Sequence, residues 1–218
     1  MLKNFIIIGD SYSTHKDYIP DGYSYYYSTE GRPLAMPISK MRPEETWWWK
    51  FADSADSHLV QNNSWSGTTI GYTGYSNSDC SKESSFITRY EKLLAEGFFV
   101  NNEIDTVLVF GGTNDSWANA PLGEEMLSGW ERKDLFSVLP AISYFMESLK
   151  RNLPDKRIVF IGNCDIKTEI TDFMKKAAEH FGIEYIALNG ISKDCGHPTV
   201  AGMSEIYEQI LCGLQKKQ

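Results

Sequence analysis

Three runs in this chain, Phe5-Ile6-Ile7-Ile8, Val107-Leu108-Val109-Phe110 and Ile158-Val159-Phe160-Ile161, are apolar at every position. A strand with one wet face alternates apolar and polar residues; an unbroken, largely β-branched run suits a strand covered on both faces. Covering both faces takes helices above and below a mostly parallel sheet. The chain supplies them in alternation. Strands are predicted at about Asn4–Gly9, His58–Asn62, Asp105–Phe110, Arg157–Gly162 and Ile183–Leu188. Helical spacing covers Ser84–Leu94, Asp134–Asn152, Thr168–Phe181 and Val200–Leu214. Pro140 should kink the second of these or delay its start, and Gly182 should stop the third. Pro43-Glu44-Glu45-Thr46 reads as a further helix start, since proline and acids suit a first turn. The expected fold class is α/β, a three-layer α/β/α sandwich around a five-stranded parallel sheet with right-handed crossovers.

At 218 residues the chain has the size of one domain, expected to span 1–218, with no repeat or linker. A formal charge of −8 disfavours nucleic acid, which needs clustered Lys and Arg, and equally an anionic membrane surface. No segment approaches the length of a membrane span, so no stable membrane insertion is expected. Phe5–Ile8 is too short for the core of a secretory signal, and a cytoplasmic location is the expectation. Cys80, Cys164, Cys195 and Cys212 are scattered without a C-x-x-C pair, so free thiols are expected and no zinc or redox motif is present.

The stretch at about 12–42 is too long and too punctuated for a helix. It carries Tyr18, Tyr23, Tyr25, Tyr26 and Tyr27 among Pro20, Gly22, Gly31, Pro33 and Pro37. So many tyrosines argue for order. Either an aromatic flap lines a pocket near the first strand end, or the tyrosines simply pack on the body. Trp47-Trp48-Trp49 cannot all face one core from a helix. Core packing is expected for them, with at least one meeting the flap.

Polar clusters follow the first, second, third and fifth strands, which places them along one edge of a parallel sheet. Gly9-Asp10-Ser11 presents a serine as a candidate nucleophile. His197 is a natural general base, because its ordinary pKa lies close to neutrality. Asp194, three residues earlier, is placed to orient the imidazole. The N–H groups of Ser11 and Gly67 and the side-chain amide of Asn114 are candidates for an oxyanion hole. Asp10 and Asp115 are read as supporting residues that organise their turns, and Asp165 as a pocket border or helix cap. His15, four residues after Ser11, is a second candidate for the base, while His58 and His180 read as structural or exposed.

These blocks resemble those of the SGNH hydrolases, the GDSL lipase/esterase family. Gly9-Asp10-Ser11 matches the first block, Asn62 through Gly67 the second, Gly112-Thr113-Asn114-Asp115 the third, and Asp194-Cys195-Gly196-His197 the last. The resemblance implies a flavodoxin-like sheet, ester hydrolysis without metal or cofactor, and the roles just given. Tyr12-Ser13 departs from the family's first block, which usually carries a leucine there, and the insertion at about 12–42 is long. The expected activity is that of a serine esterase acting on a small-molecule or carbohydrate ester, such as a sugar O-acetyl ester. The alternatives are a non-catalytic ligand-binding module on the same fold and an acyltransferase. There is no G-x-S-x-G elbow, phosphate loop or dinucleotide fingerprint.

Overall fold

A computed structural model describes residues 2–31 and 39–216. Pro33 and Pro37 of the tyrosine-rich stretch lie outside the described residues. Five strands, β1 (Asn4–Gly9), β2 (His58–Ser64), β3 (Thr106–Gly111), β4 (Arg157–Gly162) and β5 (Glu184–Ala187), pair in the order β2-β1-β3-β4-β5, all parallel. The order reverses at β1, so β1 has β2 on one side and β3 on the other. In open α/β sheets that reversal opens a crevice at the carboxyl ends of the strands.

The unbroken apolar runs divide between the two faces as the pleat requires. Ile6, Ile8, Val107, Val109, Ile158 and Phe160 point into one core with α2 (Phe86–Ala95), α5 (Val138–Asn152) and α6 (Thr168–Phe181). Phe5, Ile7, Leu108, Phe110, Val159 and Ile161 point into the other with α1 (Trp49–Ala52) and α7 (Val200–Gln215). The result is the three-layer α/β/α sandwich. Each fully buried Ile or Phe contributes about 1.5–3 kcal/mol relative to exposure.

Some elements differ from the sequence expectation. The helix expected from Pro43 breaks into a 3-10 turn, Pro43–Glu45, and the single turn of α1. Trp47 and Trp48 therefore both reach the core and are fully buried, while Trp48 and Trp49 flank Tyr18 of the inserted stretch at 5.3 and 5.4 Å between ring centroids. Pro140 delays α5 until Val138, after a 3-10 turn at Arg132–Phe136. Two short helices, α3 (Phe98–Asn101) and α4 (Thr113–Trp117), fall where helical periodicity is too brief to detect. A small antiparallel hairpin, β6 (Lys193–Asp194) and β7 (His197–Pro198), precedes α7. All four cysteines are free, and no described helix is long and apolar enough to cross a membrane.

Candidate active site

β1 delivers Ser11 to the reversal point through a turn closed by Ser13 N–H donating to the Asp10 carbonyl at 3.0 Å. Gly9 is required there. A Cβ on it would come within 2.7 Å of Ser64 Oγ and 3.0 Å of Ser13 Oγ. Asp10 is fully buried, and its Oδ1 accepts from Tyr12 N–H at 3.1 Å. Its Oδ2 has no hydrogen-bond partner among the described residues. Burial pushes the Asp10 carboxyl up to about 7, with Tyr12 N–H pulling against it.

Beneath this turn lies Arg89, 1 % exposed, on α2. Its guanidinium donates to the carbonyls of Gly9 (3.1 Å), Ser84 (3.0 Å) and Asn63, to Asn63 Oδ1 (2.9 Å) and to Thr68 Oγ1 (3.2 Å). It ties the ends of β1 and β2 to the loop that carries Gly67. Burial lowers its pKa to about 10. The sequence signal for this group is an arginine on the apolar stripe Phe86, Tyr90 and Leu93.

Gly67 follows β2 in left-handed conformation, φ +83°, a region glycine enters freely. Asn114 lies in α4, directly after β3, and is 2 % exposed. Its Nδ2 donates to the Thr68 carbonyl at 2.9 Å, and its Oδ1 accepts from the Tyr75 hydroxyl at 2.9 Å. The Tyr75 bond orients the amide, leaving one of its two N–H groups unspent. Asp115 accepts from Ile70 N–H at 3.0 Å and Gly71 N–H at 3.4 Å, so it braces the same loop. Burial raises its carboxyl to about 6. Ser11, Gly67 and Asn114 thus follow three adjacent strands at one sheet edge.

The β6–β7 hairpin turns on Cys195 and Gly196, φ +46° and +81°, the double left-handed geometry of a two-residue hairpin turn. It brings His197 Nε2 to 3.0 Å from Ser11 Oγ. Asp194 pairs across the hairpin from His197, yet its carboxylate does not meet the imidazole. It is exposed and accepts from the Cys195 thiol at 3.3 Å. Nδ1 of His197 instead lies 3.5 Å from the Cys195 carbonyl. The contact expected from Asp194 is not formed here: the tight turn places the Cys195 carbonyl in front of Nδ1 instead, at a long 3.5 Å. Burial pushes the imidazole down to about 4, with the Cys195 carbonyl opposing and the Lys193 charge reinforcing.

His15 is directed elsewhere: it is buried, with Nε2 3.0 Å from the Met41 carbonyl. Asp165 accepts from Lys193 Nζ at 3.1 Å at the border of the site, and Lys167 rather than Asp165 occupies the cap position of α6. Aromatic rings enclose His197. Tyr26 stacks on it at 3.6 Å with 3° between planes, and Tyr12 and Trp117 stand at 5.6 Å. Tyr23 stacks on Trp65 at 4.3 Å, beside the Gly67 turn. No trio of His, Cys, Asp or Glu among the described residues is arranged to hold a metal.

Comparison with known proteins agrees with this architecture. The family model described as GDSL-like lipase/acylhydrolase matches residues 3–214. A candidate GDSL-like lipase from Bacteroides uniformis is similar at 40% identity, with 99% of this chain and 96% of that one covered and a TM-score of 0.88. A candidate GDSL-like lipase from Bacteroides ovatus is similar at 37% identity, with 99% of both chains covered and the same TM-score, 0.88. A family two carbohydrate esterase from Clostridium thermocellum, solved in complex with cellohexaose, shares the fold at 16% identity and TM-score 0.64. That likeness covers 99% of this chain and 64% of the other. No curated protein sequence matches the chain. The chain belongs to the GDSL-like lipase/acylhydrolase family, whose members are hydrolases acting on esters.

Proposed function

We propose that the protein is a serine esterase in which Ser11 is the nucleophile and His197 the general base. The observation that carries this reading is the 3.0 Å approach of His197 Nε2 to Ser11 Oγ. A neutral imidazole at that distance can take the hydroxyl proton as Oγ attacks the ester carbonyl carbon. The N–H groups of Ser11 and Gly67 donate to no described residue, and Asn114 keeps one N–H unspent. These three donors are assigned to the oxyanion of the tetrahedral intermediate. The intermediate collapses, the C–O bond of the alcohol breaks, and the departing alkoxide takes the proton from His197. Water then attacks the acyl-serine, gives its proton to His197, and Ser11 recovers it as the acid leaves. The Cys195 carbonyl, 3.5 Å from Nδ1, is the acceptor that faces the imidazolium, over a long contact that leaves the ring plane loosely held.

For the substrate we infer a carbohydrate O-acetyl ester. Support comes from the partly exposed Tyr23–Trp65 stack beside Gly67 and from the fold shared with a carbohydrate esterase solved with cellohexaose. Aromatic faces of this kind suit the apolar faces of sugar rings.

Replacing Ser11 with Ala should lower kcat on an activated acetate ester by about 10³-fold or more. A rate within tenfold of the unchanged protein would remove Ser11 from the mechanism. Acetylated xylo-oligosaccharides should be cleaved with higher kcat/KM than long-chain acyl esters of the same sugars, and the opposite order would reject the substrate class. Acyl transfer to an added alcohol in excess of hydrolysis would favour the acyltransferase.

A further inference from the structure

We propose that Tyr26, from the inserted stretch, is a positioning residue for His197: its stacked ring holds the imidazole in line with Ser11 where no carboxylate does so. The inference rests on the esterase reading for its kinetic consequence, but not for its geometry.

A general base hydrogen-bonded at both nitrogens has little freedom about its side-chain torsions. His197 has Nε2 on Ser11 at 3.0 Å, but its Nδ1 contact with the Cys195 carbonyl is long, at 3.5 Å, where a hydrogen bond is weak. Something else must restrict rotation of the ring plane. Tyr26 lies parallel to it, 3° between planes and 3.6 Å between centroids. At that separation the imidazole cannot turn about its long axis without colliding with the phenol. A face-on aromatic ring also attracts the positive charge that the imidazole acquires when it takes the serine proton.

Tyr26 is itself tied to the nucleophile. Its N–H donates to Thr14 Oγ1 at 2.9 Å, and that hydroxyl donates to the Ser11 carbonyl at 3.1 Å. The ring that limits His197 therefore takes its position from the turn that carries Ser11. The neighbouring tyrosines hold the other side of the hairpin. The Tyr12 hydroxyl donates to the Gly196 carbonyl at 2.5 Å and the Tyr27 hydroxyl to the Pro198 carbonyl at 2.9 Å. These bonds bracket His197 along the backbone, so Tyr26 has only the side-chain rotation left to control.

The test compares Tyr26→Leu, which removes the flat face, with Tyr26→Phe, which keeps it and loses the hydroxyl. Aromatic stacking is worth enough to predict a kcat loss of about tenfold for Tyr26→Leu on an activated acetate ester, with KM changed by less than about twofold. Tyr26→Phe should stay within about twofold of the parent in both. Equal losses in the two variants, or an unchanged kcat in Tyr26→Leu, would overturn the assignment.

A second measurement needs no activity. In the parent protein, NMR of the His197 ring should show its carbon-bound protons shifted upfield by the Tyr26 ring current. The shift should persist in Tyr26→Phe and vanish in Tyr26→Leu. A parent protein that hydrolyses no ester but shows this shift would reject the esterase reading and keep the positioning contact. Absence of the shift in the parent protein would reject the contact itself, even if Tyr26→Leu did not fold.

Discussion

The two halves of the proposed reacting pair are held in opposite ways. Ser11 follows β1, an inner strand of the five-stranded sheet, over a buried guanidinium that gathers the strand-end carbonyls of Gly9 and Asn63, the Ser84 carbonyl and two side chains. His197 rides on a hairpin of two-residue strands, held from outside the sheet by tyrosines of the inserted stretch. Burial acts on the two sides with opposite sign, because it disfavours whichever form is charged. It lifts the Asp10 carboxyl behind Ser11 to about 7 and lowers the His197 imidazole to about 4. Between those values both groups are held neutral. The Ser11 side is thus held by the core, and the His197 side by contacts from the inserted stretch.

The comparison breaks most severely at Arg89. Arg89→Ala would leave the buried Gly9 and Asn63 carbonyls short of a donor, at a cost of about 3 kcal/mol or more in unfolding free energy. Chemical denaturation measures it, and a loss below about 1 kcal/mol would show that the turn does not depend on the guanidinium. Gly9 keeps a second donor in Trp65 N–H at 3.1 Å, so the β1 end should loosen less than Asn63.

The opposed shifts predict the pH profile. His197 must be neutral to accept a proton, so kcat/KM should rise with pH through about 4, well below the ordinary 6.5, and be level by about pH 6. An acid limb centred near 6.5 would mean that the imidazole is not desolvated in the working protein. For stability the signs run oppositely. The depressed His197 costs stability as pH falls from 6.5 toward 4, since the unfolded chain binds the proton first. The raised Asp10 costs stability as pH rises from about 4 through 7, since the unfolded chain loses its proton first. Asp10→Asn should therefore remove the loss of stability between about pH 4 and 7, so that the opposite His197 slope shows there, and leave the curve below about pH 4 unchanged.

The smallest effect is expected at Asp194. With its carboxylate on the Cys195 thiol and Nδ1 facing a carbonyl, Asp194→Asn should lower kcat by less than about tenfold. A loss approaching that of Ser11→Ala would place the carboxylate on the imidazole during turnover.

Most of this architecture is legible along the chain. The apolar runs of β1, β3 and β4 read as two-sided strands because hydrophobic periodicity is a local property, and the polar blocks at their ends follow from where parallel strands stop. α4 was hidden because Thr113–Trp117 is one turn long and opens after the left-handed Gly112, too short for a period to show. The role of Arg89 is not legible in the chain, because a charged residue on an apolar stripe reads as solvated until the carbonyls it meets are known. Asp194 was expected on the imidazole because three-residue spacing permits that contact. Spacing says which groups can meet, and the handedness of Cys195 and Gly196 decided which did.

The sequence by itself determined the layers, the edge at which Ser11, Gly67, Asn114 and His197 collect, and the kinds of group brought there. Those follow from burial and from strand direction, which nearest neighbours encode. Only the tertiary structure decided the partner of His197 Nδ1, the guanidinium beneath the serine turn and the tyrosine face against the imidazole. Each of those depends on torsions and contacts between segments far apart in the chain, to which no local pattern is sensitive.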